Sequence, residues 1–217
     1  MVKKGLYLYV EGGGDHARLT AELGRAFHIF FKKAKLPCQP RVFLSGSRKS
    51  AYDDFCQAVQ QGQAAMLLVD SEGPVANRHQ QGPPEAWQPW RHLKERNQDQ
   101  WERPSGAEDL DCHLMVQFME SWFLADREAM RDYFGQGFNV KQLPAAAKSV
   151  EDIAKEKVDD ALQRATRECK PKNSYEKGRD SFKLLARIDP NKVVAASGWA
   201  KRLVDTLKRR MAASDPA

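Results

Sequence analysis

Apolar and polar positions along the chain change period in a regular order. Residues 5–10 are aromatic and β-branched and end at a glycine run, which predicts a strand. Residues 15–35 place Leu19, Leu23, Ala26/Phe27, Phe30 and Ala34 at helical spacing, so one face of a helix is apolar. Pro37 and Pro40 end that helix, and residues 41–44 form a short second strand. Ser47 is placed to cap a helix carrying Tyr52, Phe55, Cys56 and Val59, which Gly62 closes. Residues 64–69 are uniformly apolar and run into Asp70. A run of that kind belongs to a strand buried on both faces of a parallel sheet. Strand and helix alternate with short links, which predicts an α/β core.

The rhythm breaks at 71–111, where five prolines accompany Trp87, Trp90 and Trp101. A connection this long either is a functional lid or holds short helices of its own. Packing beneath it is the favoured role of these tryptophans, with base stacking the alternative. Residues 113–116 predict a fourth strand, with His113 as a strand residue, and 119–134 a helix. Beyond it the pattern is helical. Ser149 with Asp152 resembles a capping box that opens a helix to Cys169. A second helix spans 175–188, and Ser197 caps a third with Trp199, Leu203, Leu207 and Met211 along one stripe. The expected organisation is a core at 1–134 and a helical region at 135–217 packed on it, with a frayed tail at 212–217.

Composition narrows this picture. The 217 residues are 41% hydrophobic, enough for a core, and no apolar stretch is long enough to span a bilayer. No apolar leader opens the chain, and the four cysteines are scattered without a C-x-x-C pair. Both features predict a cytoplasmic protein with reduced thiols. The net charge of +6 is uneven: +7 over 1–50, −8 over 51–128 and +7 over 129–217. An acidic centre between basic flanks suits a cation site beside a surface for polyanions. A solvated surface with uneven charge is the alternative.

Candidate chemistry lies at two strand ends. Glu11 follows the first strand and precedes Gly12, Gly13 and Gly14; Asp70 and Glu72 follow the third. In a parallel sheet both positions fall at the carboxyl edge, where open α/β folds hold ligands. Three converging carboxylates repel one another, and a hard divalent cation relieves that repulsion. The glycine run is not a phosphate loop, since Gly-Lys-Ser/Thr is missing, and it lacks the dinucleotide-binding spacing.

Glu-Gly after the first strand and an acidic pair after the third resemble the Toprim domain of topoisomerases, primases and overcoming-lysogenization-defect nucleases. More narrowly, the chain resembles a bacterial Toprim-like group, domain-of-unknown-function family 4276. The residues that carry this are Val10-Glu11-Gly12, Val69-Asp70, the block from Met115 to Asp126 containing Met-Glu-Ser-Trp-Phe-Leu-Ala-Asp, Tyr175-Glu-Lys177 and Ile188-Asp-Pro190. The resemblance implies a mostly parallel Toprim-like sheet flanked by helices. It also implies Mg²⁺- or Mn²⁺-dependent phosphodiester chemistry in antiviral or mobile-element defence, beside a partner ATPase. Glu11 then matches a general base or metal ligand, and Asp70 and Glu72 the metal pair. Glu72 stands where Asp is common. Glu120 is a candidate fourth acidic group, with helix-dipole stabilisation as the alternative. Lys177 is a candidate for neutralising the scissile phosphate. Lys201, Arg202, Lys208, Arg209 and Arg210 on the last helix are candidate nucleic-acid contacts, or a solvated face. Beside a nuclease, a non-catalytic subunit of a defence complex and a phosphotransferase or phosphatase for small molecules stay open.

Overall fold

A computed structural model describes residues 5–14, 17–145 and 149–213. Asp15, where the first predicted helix opens, lies outside them, as do residues 1–4 and the end of the expected tail, 214–217. Four strands, β1 (Tyr7–Val10), β2 (Arg41–Leu44), β3 (Ala65–Asp70) and β4 (Cys112–Met115), form one sheet in the order β2-β1-β3-β4. Every pairing is parallel. The expected α/β class, a parallel sheet flanked by helices, is the architecture of the chain.

The uniform apolar run of β3 is explained by burial on two faces. Met66 and Leu68 join the core beneath α1 (Ala17–Lys33), while Ala65, Leu67 and Val69 join a second core beneath α2 (Arg48–Gln60). Side chains alternate across a strand, so both sets must be apolar. Asp70 continues the Met66–Leu68 side. On α1, Leu23, Ala26, Phe27, Phe30 and Phe31 are buried, as the period requires. Ser47 caps α2, its hydroxyl accepting from the Ser50 N–H at 3.0 Å.

The connection 71–111 holds α3 (Pro89–Glu95) and three 3₁₀ turns. Its Trp90 and Trp101 are buried in the second core. Trp101 stacks on Tyr52 at 4.7 Å between centroids, so these rings pack and are not presented for base stacking. His113 is a buried strand residue.

Three predicted helices are shorter than the periodicity suggests. Residues 119–134 divide into a 3₁₀ segment, Met119–Ala125, and α4 (Arg127–Phe134). Asp126 makes the break: its carboxylate caps Ala129 and also accepts the Asp189 N–H at 2.9 Å. Ser149 caps a single 3₁₀ turn, and α5 (Lys155–Thr166) begins later. Of 175–188 only α6 (Ser181–Leu185) is α-helical. Upstream of it the Asp180 carboxylate takes the Glu176 N–H at 2.8 Å, and Gly178 has φ 85°. Side-chain capture of a backbone donor favours a turn there over a helix. The chain ends in α7 (Pro190–Ala196) and α8 (Gly198–Ala213). Residues of α4 through α8 share the apolar cluster that holds α1. Among the described residues, no helix is long and apolar enough to cross a membrane.

Candidate metal centre

The chain leaves β1 for β2 on one side and returns to β3 on the other. The carboxyl ends of β1 and β3 therefore flank a topological switch point, the position where open α/β sheets bind ligands. Glu11 follows β1 there, and Asp70 ends β3. Gly12 and Gly13 turn the chain toward α1 with φ of 123° and 87°. A Cβ on Gly12 would lie 2.6 Å from Leu23 Cδ2, and one on Gly13 2.9 Å from Thr20 Cα. Only glycine meets both the conformation and the close approach.

Glu72 reaches the same point by an unusual backbone. Its φ is 59°, a left-handed conformation that costs a non-glycine residue about 1–2 kcal/mol. Two bonds that continue the β3–β4 pairing hold it: Ser71 N–H to Met115 O at 3.0 Å and Glu72 N–H to Gln117 O at 2.8 Å. Glu11, Asp70 and Glu72 thereby offer carboxylate oxygens all within 4.8 Å of one another. The extra methylene of Glu72 does not keep it from the cluster.

Glu120 stands apart from that triad but borders the same cavity, of about 270 Å³, as do Glu11, Asp70 and Lys177. It is buried, accepts a hydrogen bond from the Tyr175 hydroxyl at 3.1 Å, and lies 3.8 Å from Lys177 Nζ. Asp126, six residues on, belongs to a separate ion pair with Lys192.

The electrostatics differ from one carboxylate to the next. Arg48 Nη1 donates to Glu11 at 3.1 Å and to the Asp70 carbonyl, while Nη2 donates to Asp99 at 2.7 Å. Its guanidinium lies over Trp101, 5.2 Å from the ring centroid. Lys155 Nζ pairs with Glu72 at 2.5 Å. Asp70, buried between these pairs, has no ion pair of its own among the described residues; its Oδ1 accepts the Met119 N–H at 2.9 Å. Burial, then the charges of Glu11 and Glu120, raises the Asp70 carboxyl well above the usual carboxylate range. Burial also raises Glu11, and Arg48 opposes that shift. A buried carboxylate pressed by like charges, in an all-oxygen donor set, fits a small hard divalent cation such as Mg²⁺ or Mn²⁺. Glu11, Asp70 and Glu72 are the residues that would hold it.

Arg48 and Lys155 carry no prominent motif. Arg48 follows the Ser47 cap just after β2, so its place at the carboxyl edge is readable from the topology. Lys155 meets Glu72 across 83 residues, and no local pattern marks it.

The proposed nucleic-acid face on α8 is corrected at one position. Arg202 is buried and donates to the carbonyls of Pro84, Cys112 and Asp109, each at 2.7 Å, so it is a structural residue. Of the others, Arg209 pairs with Glu85, Arg210 with Asp111 and Lys201 with Asp205. Asp111 immediately precedes β4, so this end of α8 lies at the amino edge of the sheet, away from the carboxylates.

Fold and site together define an α/β protein with a three-carboxylate cluster at the switch point of a parallel sheet. The chain belongs to the family described as domain of unknown function DUF4276, which matches residues 10–208. No curated protein and no solved structure matches it.

Proposed function

We propose that this protein is a Mg²⁺- or Mn²⁺-dependent nuclease that hydrolyses phosphodiester bonds of DNA or RNA. The observation that carries this reading is the convergence of Glu11, Asp70 and Glu72 within 4.8 Å at the switch point. A bound divalent ion would supply charge stabilisation at the phosphoryl oxygens and a more acidic water. Asp70 and Glu72 are assigned as its ligands. Glu11, oriented by Arg48, serves as a further ligand or as acceptor of the water's proton. Lys177, exposed and 3.8 Å from Glu120, is assigned to neutralise the scissile phosphate. The Toprim resemblance extends the proposal to cytoplasmic antiviral or mobile-element defence with a partner ATPase.

One observation favours a second reading, a non-catalytic subunit or sensor of a defence complex. Arg48 on Glu11 and Lys155 on Glu72 already balance two of the three carboxylates without an ion. Calorimetry with Mn²⁺ separates the two. The nuclease reading expects binding by the wild type and its loss in Glu11→Gln and Asp70→Asn. It also expects Asp70→Asn to abolish cleavage with the fold intact. Wild-type protein that does not bind Mn²⁺, or Asp70→Asn that cleaves as well as wild type, would sink it.

A further inference from the structure

Lys155 has an environment that its pairing with Glu72 does not exhaust. Its Nζ lies 5.2 Å from the centroid of the Phe118 ring, and the Nζ of Lys177 lies 5.5 Å from the same centroid. Phe118 is fully buried and immediately precedes the Met119 N–H that binds Asp70. Asp159 on α5 senses the charges of both lysines. Two ammonium groups from distant parts of the chain thus converge on one ring beside the carboxylate cluster. Both are accessible: the Lys155 side chain is 24% exposed and that of Lys177 is 62% exposed. Lysine is a point-charge phosphate binder with three donors, and the electron-rich face of a neutral aromatic ring attracts its ammonium without supplying a competing acceptor oxygen.

The surroundings give the lysines a direction. Beyond Glu72 lies a hollow bordered by Glu72, Glu151, Asp152 and Glu156, which repels phosphate. On the other side is the cavity that Glu11, Asp70, Glu120, Lys177 and the glycine turn border, where a bound cation would offset the acidic charge. Lys155, whose chain neighbours Ala154 and Glu156 line that hollow, and Lys177, which borders the cavity, are the cations that a polyanion reaching Asp70 would meet between the two.

We propose that Lys155 and Lys177 form a two-pronged clamp for neighbouring phosphates of a single nucleic-acid strand, which makes a polymer the substrate class and not a mononucleotide. Resting on the nuclease reading, the clamp assigns Lys155 a substrate contact in addition to its pairing with Glu72. An ion held by Glu72 would take over the neutralisation that Lys155 now provides, leaving the ammonium to the phosphate.

The test measures binding of labelled single-stranded oligodeoxynucleotide and oligoribonucleotide in Ca²⁺, across a salt series, for wild type, Lys155→Gln, Lys155→Arg and Lys177→Gln. Thymidine monophosphate is the one-phosphate control, and Mn²⁺ calorimetry is run on the same proteins. Each phosphate contact to a single strand contributes about 0.7 to the slope of log affinity against log salt. The expected result is a loss of about 0.7 in slope for Lys155→Gln and the same for Lys177→Gln. Lys155→Arg should keep the wild-type slope, Mn²⁺ affinity should survive in Lys155→Gln, and thymidine monophosphate should bind far more weakly than either oligonucleotide. A wild-type slope in Lys155→Gln with Mn²⁺ binding intact overturns the clamp and leaves the nuclease reading standing. Monophosphate binding as tight as the polymers, or wild type that binds Mn²⁺ but neither oligonucleotide, overturns the clamp and counts against the nuclease reading as well. Wild type that does not bind Mn²⁺ removes the nuclease reading itself.

Discussion

Two charged groups are buried at opposite edges of the sheet, and the protein treats them in opposite ways. At the amino edge, Arg202 donates to three carbonyls and, at 3.1 Å, to His113 Nδ1. His113 keeps its other ring nitrogen for the Leu110 carbonyl at 3.1 Å. Burial, then the Arg202 charge, holds this histidine well below its ordinary pKa, so the neutral tautomer receives the guanidinium hydrogen bond. Among the described residues no carboxylate forms an ion pair with Arg202, and oriented carbonyls accept its hydrogen bonds. At the carboxyl edge, Asp70 is as deeply buried but is surrounded by Glu11 and Glu120, which oppose its charge. A buried charge with its hydrogen bonds complete holds elements together. A buried carboxyl crowded by its own sign takes up a proton or a cation more readily than an ordinary one, and perturbation of that kind gathers at functional sites.

The sharpest way to break this comparison is to remove the satisfied charge. Arg202→Met leaves three carbonyls and His113 Nδ1 without their donor while keeping most of the aliphatic volume. Removing one side of a buried charged network costs about 3–5 kcal/mol. For a chain of this length that lowers the melting midpoint by roughly 10 °C. Thermal denaturation of the two proteins checks it, and a fall of only a degree or two would mean that water replaces the guanidinium.

Removing the unsatisfied charge should act in the other direction. Asp70→Asn retains an oxygen for the Met119 N–H and relieves the repulsion from Glu11 and Glu120. The metal-free variant should be more stable than wild type, because burial and the charges of Glu11 and Glu120 disfavour the ionised Asp70 carboxyl. The sign with pH follows from linkage. Asp70 has a raised carboxyl in the folded state, so above the ordinary carboxylate range the native protein binds more protons than the unfolded chain. Wild-type stability then falls as pH rises toward the folded pKa and levels off beyond it. Melting curves in chelator across mildly acidic to neutral pH should show that fall in wild type and a weaker one in Asp70→Asn, where Glu11 and Glu120 remain raised but the Asp70 contribution is gone. Equal slopes would mean that Asp70 does not carry the repulsion.

The same two edges show what the sequence can disclose. Residues 7–70 were legible because burial on both faces of β3 and on one face of each flanking helix writes a local period. The Glu11, Asp70 and Glu72 positions were legible because each stands at or just past the carboxyl end of such a strand. Lys177 was recognisable as a candidate, but its turn was not, since Asp180 captures the Glu176 N–H where the apolar spacing reads as helix. Arg202 was read as lying opposite the stripe of Trp199, Leu203, Leu207 and Met211, whereas on the helix it is buried with it. Its acceptors Pro84 and Cys112 are 118 and 90 residues away, and only the tertiary fold brings them to it. Lys155 was invisible for the same reason. Charges that belong to a strand end announce themselves, while charges recruited across the fold do not.

The smallest expected effect concerns the cations that remain on the α8 surface. Lys208 is exposed, near the helix end where Arg210 pairs with Asp111 at the amino edge of the sheet. Lys208→Gln should change stability by less than about 0.5 kcal/mol, as a surface substitution does. A strand bound only at the carboxylate edge does not reach Lys208, so the oligonucleotide salt slope should also stay at the wild-type value. A loss of about 0.7 in slope, equal to that expected of Lys155→Gln, would instead require a strand that runs from one edge of the sheet to the other. The amino edge would then be a second contact surface, and the division between a structural edge and a functional one would hold for Arg202 alone.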